Sequence, residues 1–277
     1  MTPPFWSQLL ALDRPLIMGI VNVTPDSFAD GGRHFSLEAA LAHARHLVAA
    51  GADILDVGGE STRPFSEPVP LEEELRRVLP VIEAIRAEMD VPLSIDTYKA
   101  EVARRALGAG ADIINDISAL RFDPDLAPLA AATGAPVILM HMKGTPRDMQ
   151  TDPRYDDLLG EIKAFLAERR DFALSQGIAP QAIVLDPGIG FGKTFAHNLQ
   201  ILNHLDTFLD LGCPLLVGPS RKAFIGHYLG GLPPDERDYG TLAALAAAVL
   251  KGAKILRVHN VAAAVQFFTL FQAIRAA

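Results

Sequence analysis

Residues 110–116 read GADIIND and residues 51–58 read GADILDVG. In both, a glycine and two residues separate a helical run from a short apolar stretch. Glycine just past a helix end takes the left-handed C′ position at no steric cost, so it marks where a helix stops and a strand begins. The same punctuation recurs at GAP (134–136), GIAP (177–180), GCP (212–214) and GAK (252–254). The apolar runs around these junctions, ILDVG, IIND, VILMH, IVLDP, LLVG and ILRVH, are strand-like. With LIMGIVN near the start and LSIDT at 93–97, the chain reads as eight strands. The segments between them have helical periodicity, as in Leu71, Leu75, Val78, Ile82, Ile85 and Met89, with a kink predicted at Pro80.

Eight strand–helix units in 277 residues match an α/β fold, a (β/α)8 TIM barrel forming a single domain over 1–277. A doubly wound open sheet shares the alternation. A second asymmetry favours the barrel. Helix-to-strand junctions are tight, whereas the strand-to-helix connections 23–36, 59–70, 141–155 and 219–238 are long. In a barrel such loops gather on one face and build the site.

Composition narrows the function classes. A net charge of −8 argues against a sequence-independent nucleic-acid binder, which needs a basic face. One cysteine, Cys213, fits a reducing compartment. The N-terminal MTPPFWSQLLALDRP has no basic stretch followed by an apolar core, so no secretory signal is expected. The stretch VAAAVQFFTLF is too short to span a bilayer. The expectation is a cytoplasmic protein with small-molecule partners.

Polar residues end the apolar runs: Asn22, Asp96, Asn115–Asp116, His141, Asp186 and Ser220–Arg221–Lys222, with Arg257 and His259 two apart on the last. A lone Asp or Asn after a strand reads as a helix N-cap. Polar ends from seven strands gathered at one barrel mouth read as a pocket. Arg63, Lys222, Arg257 and His259 form a cationic set suited to a phosphate or diphosphate. Asp96, Asn115 and Asp186 suit a flat heterocycle with a donor-rich edge. No H-x-x-x-H or Cys/His cluster suggests zinc, and no G-x-S-x-G elbow is present. The run LDPGIGFGKT (185–194) misses the nucleotide pattern G-x-x-x-x-G-K-[ST], because Pro187 stands at the first glycine position.

Together the motifs resemble one family, the dihydropteroate synthases of folate biosynthesis, which sulfonamides inhibit. The matching stretches are IVNVTPDSFADGG (20–32), DVGGESTRP (56–64), SIDTYK (94–99), NDIS (115–118), MHMKGTP (140–146), LDPGIGFGK (185–193), GPSRK (218–222) and RVHNV (257–261). The resemblance implies a single pterin-binding TIM-barrel domain that joins 6-hydroxymethyl-7,8-dihydropterin diphosphate to p-aminobenzoate. By that analogy Thr62, Asp96, Asn115, Asp186, Lys222 and Arg257 hold the pterin, between the apolar faces of Ile117 and Met140. Asn22, Arg63, Arg257 and His259 take the diphosphate, with Mg2+ held partly by Asn22. Phe28, Thr62, Pro64, Phe191 and Lys222 receive p-aminobenzoate, under loops that close over the bound pterin.

Three departures from the family pattern stand out: Ala223 where serine is common, Phe65 where glycine is usual, and Asn260 where aspartate is common. A pterin-dependent methyltransferase lacks the full GESTRP and SRK set. A Schiff-base aldolase would use Lys222 alone, and a silent pterin-binding paralogue would show degraded loops. The apolar circumference of AAAVQFFTLFQAI and the Ala-rich TLAALAAAVL predict a homodimer surface, as the family has.

Overall fold

In the computed structural model, which describes residues 2–24, 37–63 and 66–277, the six junction glycines all take positive φ. The values are 97° at Gly51, 114° at Gly110, 73° at Gly134, 90° at Gly177, 72° at Gly212 and 92° at Gly252. Each marks the turn from the outer layer of the fold into a strand. The strands are β1 (Leu16–Asn22), β2 (Ile54–Gly58), β3 (Leu93–Asp96), β4 (Ile113–Asp116), β5 (Val137–Met140), β6 (Ile183–Asp186), β7 (Leu215–Val217) and β8 (Ala253–Val258). They close in sequence order, β1 to β8, and every pair is parallel. The predicted barrel is the observed fold.

The helices are α1 (Pro4–Leu10), α2 (Leu37–Ala49), α3 (Leu71–Glu88), α4 (Ala100–Ala109), α5 (Leu126–Thr133), α6 (Leu158–Ser175), α7 (Phe195–Asn203), α8 (Ala223–Tyr228), α9 (Asp238–Leu250) and α10 (Val261–Ala276). α3 continues through Pro80 to Glu88. Val81, Ile82 and Ile85, beyond the proline, are buried on the barrel and hold that half of the helix in place. The connection 219–238 is not bare loop, since it contains α8 and a short 3-10 turn at Pro234–Glu236. Among the described residues no helix is long and apolar enough to cross a membrane.

The end of the barrel opposite the long loops is stoppered. Trp6 of α1 is fully buried against an apolar layer inside the barrel: Leu16, Met18, Ile54, Ile113, Ile138, Val184, Leu216 and Ile255. Its indole N–H donates to the Gln181 carbonyl at 3.0 Å, so the ring's one polar atom is satisfied. Trp6→Ala removes this plug and leaves a cavity. The expected loss is about 3–5 kcal/mol of stability, read as a lower urea midpoint at unchanged slope. An unchanged midpoint would mean that α1 contributes nothing to the core.

Candidate functional site

Side chains on a strand alternate, so residues two apart share a face. Ile54, Ile113, Ile138, Val184 and Ile255 line the interior. Two residues further along the same strands stand Asp56, Asn115, Met140, Asp186 and Arg257. The strand registers carry the same assignment around the ring, pairing Asp96 with Asn115, Met140 with Asp186, and Arg257 with Met18. The apolar floor is thus followed by a layer of carboxylates, an amide and a guanidinium at the mouth.

This layer is wired together. Arg257 Nε donates to Asp56 Oδ2 at 2.5 Å and its Nη2 to Asp96 Oδ2 at 2.8 Å. Asn115 Nδ2 donates to Asp56 at 3.2 Å. Asp56 is fully buried and orients two of the expected ligand-binding side chains. Sequence reading missed it because it sits two residues inside the strand end. A charged residue within ILDVG that must face the interior was the available signal. Burial pushes the Asp96 carboxyl up from its ordinary range, against the pull of Arg257.

Two of the polar strand ends turn away from the mouth, as alternation requires of the residues beside Asn115 and Met140. Asp116 accepts the N–H groups of Ser118 and Leu120, at 2.7 and 2.5 Å, and shapes its own loop. His141 packs edge-on against Phe165, and burial holds its pKa down at about 2.

The loop after β6 explains LDPGIGFGKT. Asp186 Oδ1 accepts from Gly188 N at 2.7 Å, and Gly190 N donates to Asn198 Oδ1 at 2.6 Å. Backbone N–H groups that would cradle a phosphate are therefore engaged within the protein. The glycines serve close approach: a Cβ at Gly188 would stand 1.9 Å from the His141 carbonyl oxygen, and one at Gly190 2.8 Å from Lys222 Cδ. Lys193, the apparent phosphate-loop lysine, is buried. Its Nζ lies 2.9 Å from both His141 Nδ1 and the Phe191 carbonyl, and burial drives its pKa well down. It braces the loop that carries Phe191.

Lys222 donates to the Ile189 carbonyl and lies 4.4 Å over the Phe191 ring. Its position is set by strain that its neighbours offset. Arg221 has φ of 59°, a left-handed conformation costly for a non-glycine residue. Its guanidinium holds Asp238 through two hydrogen bonds, at 2.9 and 3.1 Å. Asn260 Nδ2 donates to the same carboxylate at 2.7 Å. The departure at 260 thus has a physical reason, because an aspartate there would set two carboxylates together. His259 Nδ1 lies 2.9 Å from Ser220 Oγ. Burial and then Arg257 lower its pKa to about 3, so it is a neutral donor at pH 7 rather than the cation expected from sequence.

Ile117, Met140, Met142 and Met149 form a buried apolar cluster with Tyr98 and Phe191 packed on it, so the three expected apolar wall residues do meet. Asn22 ends β1 at the same mouth, and Thr62 and exposed Arg63 follow β2. Neither Thr62 nor Arg63 hydrogen-bonds to Asp96, Asn115, Asp186 or Arg257 among the described residues. Phe28, Pro64 and Phe65 lie outside the described residues. No group of three His, Cys, Asp or Glu side chains able to hold a metal exists among the described residues. One amide oxygen from Asn22 fits a magnesium ion that keeps waters and takes most of its coordination from phosphate.

Residues 18–259 match the family model described as pterin binding enzyme. The chain is 51% identical over 253 residues to a dihydropteroate synthase of Synechocystis sp., covering 91% of this chain and 88% of that protein. The structure of Xanthomonas albilineans dihydropteroate synthase with 4-aminobenzoic acid superposes with a TM-score of 0.91 at 51% identity, covering 96% of this chain and 94% of that one. The Xanthomonas albilineans enzyme in complex with 7,8-dihydropteroate gives 0.87 at 49%, covering 96% and 95%.

Burial lowers the Lys222 pKa from its ordinary 10.5 to about 8. The unfolded chain therefore binds more protons between those values, and the contribution of Lys222 to stability rises with pH across that window. Lys222→Met is expected to be more stable than the parent at pH 7, with the gap narrowing toward pH ~10, where the folded state no longer buries a charge. Denaturant titrations at several pH values measure the gap, and one that widens with pH would contradict the reading.

Proposed function

This chain belongs to the family of pterin binding enzymes, and from that membership and the barrel-mouth geometry we infer that it catalyses the dihydropteroate synthase reaction. It condenses 6-hydroxymethyl-7,8-dihydropterin diphosphate with p-aminobenzoate to give 7,8-dihydropteroate and diphosphate, a step of folate biosynthesis. The observation that carries the reading is the inward layer itself. Asp96, Asn115 and Asp186 sit on strand ends beside Arg257, with Lys222 above and an apolar wall of Ile117, Met140 and Phe191 alongside.

The roles follow from the chemistry of each group. Asp186 has one oxygen engaged by Gly188 N–H, and the other is proposed to accept from the pterin N3–H and 2-amino edge. Asn115 and Asp96 would hold the neighbouring edge, with Lys222 on the carbonyl side and Thr62 beside the ring. Arg63, Arg257 and neutral His259 would donate to the diphosphate. Magnesium held partly by Asn22 would neutralise charge on that leaving group.

The amine nitrogen attacks the pterin methylene carbon, the C–O bond to diphosphate breaks, and the nitrogen then loses a proton. An aryl amine is neutral at pH 7 and already nucleophilic, so positioning and stabilisation of the leaving group carry the rate. Phe28, Pro64 and Phe191 would flank the benzoate ring, with Lys222 near its carboxylate. Ala223 opens α8 and offers only its backbone N–H where the family has a hydroxyl. A homodimer through α9 and α10 is proposed on the exposure of Leu250, Leu270 and Ile274, and a cytoplasmic location on the lone cysteine.

The decisive assay is diphosphate release from the purified protein with pterin diphosphate and magnesium, with and without p-aminobenzoate. Release that rises with p-aminobenzoate and yields dihydropteroate is expected. No such rise would sink the reading. Asp186→Asn should lower kcat/KM roughly ten- to a hundredfold, the effect of a lost hydrogen bond to a charged group.

A further inference from the structure

Glu60 follows Gly58, the last residue of β2, and Gly59, and its side chain makes no hydrogen bond to the polar layer of the mouth. Its Oε2 accepts the Val69 N–H at 3.1 Å and Lys99 Nζ at 2.5 Å, while Oε1 accepts the Tyr98 hydroxyl at 2.8 Å. Lys99 Nζ also donates to the Val69 carbonyl at 2.8 Å and to Glu74 Oε2 at 2.5 Å. Both backbone groups of Val69 therefore end on the Glu60–Lys99 pair. One carboxylate and one ammonium tie together the two ends of the segment 60–69. The neck is tight on its other side too. Arg77 donates to the Gly59 carbonyl at 2.8 Å, and a Cβ at Gly59 would stand 2.7 Å from Val78 Cγ1. Thr62 and Arg63 lie between the tied ends.

Stability alone does not account for this arrangement. Two carboxylates share one ammonium, and Glu74 is 1% exposed, so the cluster carries a desolvation cost that apolar residues would avoid. What the charges supply is direction. An ammonium has three N–H donors, and here Glu60, Glu74 and the Val69 carbonyl accept one each. The anchor on Glu74 fixes the clamp to α3, whose inner face packs on the barrel.

We propose that Lys99, acting through Glu60 and Val69, is a positioning residue that fixes where Thr62 and Arg63 stand over the mouth, and with them the diphosphate of the bound substrate. The proposal rests on the functional reading above for the roles of those two residues. Among the described residues the strand-end groups Asp96, Asn115 and Asp186 make no hydrogen bond to Glu60, Val69, Glu74 or Lys99, so the diphosphate and the pterin ring are expected to respond to the clamp differently.

Fluorescence titration with 6-hydroxymethylpterin and with its diphosphate, both with magnesium, separates the two. Lys99→Met combined with Glu74→Gln removes the ammonium without leaving Glu74 as an unpaired buried charge, and Glu60→Gln cuts the neck from the other side. Each variant is expected to weaken diphosphate binding about tenfold, as a displaced positioning group would, while affinity for the bare pterin stays unchanged. Lys99→Arg should recover part of the loss. Equal affinities for the diphosphate in parent and variants, or a matched loss for both ligands, would overturn the proposal. Failure of the parent to form dihydropteroate would count against the functional reading, and the ratio of the two affinities would still judge the clamp.

Discussion

A closed barrel of parallel strands leaves each inward position only one direction to face. That constraint is why a short step along four strands turns an apolar floor into a polar mouth, and why its members are gathered together. The ion pair between Arg257 and Asp56 is the first product of it. Asp56 is fully buried and has no water to turn to, so Arg257 and Asn115 must satisfy it, while Arg257 is held a second time by Asp96. These bonds set the geometry of the polar layer within the protein itself.

The same enclosure works against the fold's own stability. Burial pushes Asp96 and Asp186 up and Lys193 and Lys222 down, each toward its neutral form. Such groups cost folding energy and gain it back only when a ligand of complementary charge and hydrogen bonding completes the set. Oriented dipoles and charges already in position need little rearrangement as charge develops on a leaving group. Arg221 adds backbone strain in the same neighbourhood, restrained by Asp238 and Asn260.

Much of this was legible before the structure. The junction glycines located six strands because a left-handed residue at a helix end is nearly a glycine monopoly, and all six have the expected φ. Asp96, Asn115 and Asp186 were found because polar residues ending apolar runs are rare enough to notice. His141 and Asp116 met the same criterion and face elsewhere, since the criterion ignores alternation. Asp56 and Lys193 escaped for opposite reasons: one hid within an apolar strand, the other within a run that imitates a phosphate loop. The neutrality of His259 and the partnership of Asn260 with Asp238 depend on burial and on contacts between segments distant in sequence. No spacing rule carries that information.

The stopper formed by Trp6 bears on the kinetics as well as the fold. Among the described residues the floor of the barrel is filled and its far end is sealed by Trp6, which leaves the mouth as the open end. The groups proposed to hold the heterocycle stand on the strand ends, while Phe191 and Lys222 come from the loops beyond β6 and β7. A benzoate seated first would obstruct the pterin behind it. On that assignment a vessel with one opening and two depths would take the heterocycle before the amine.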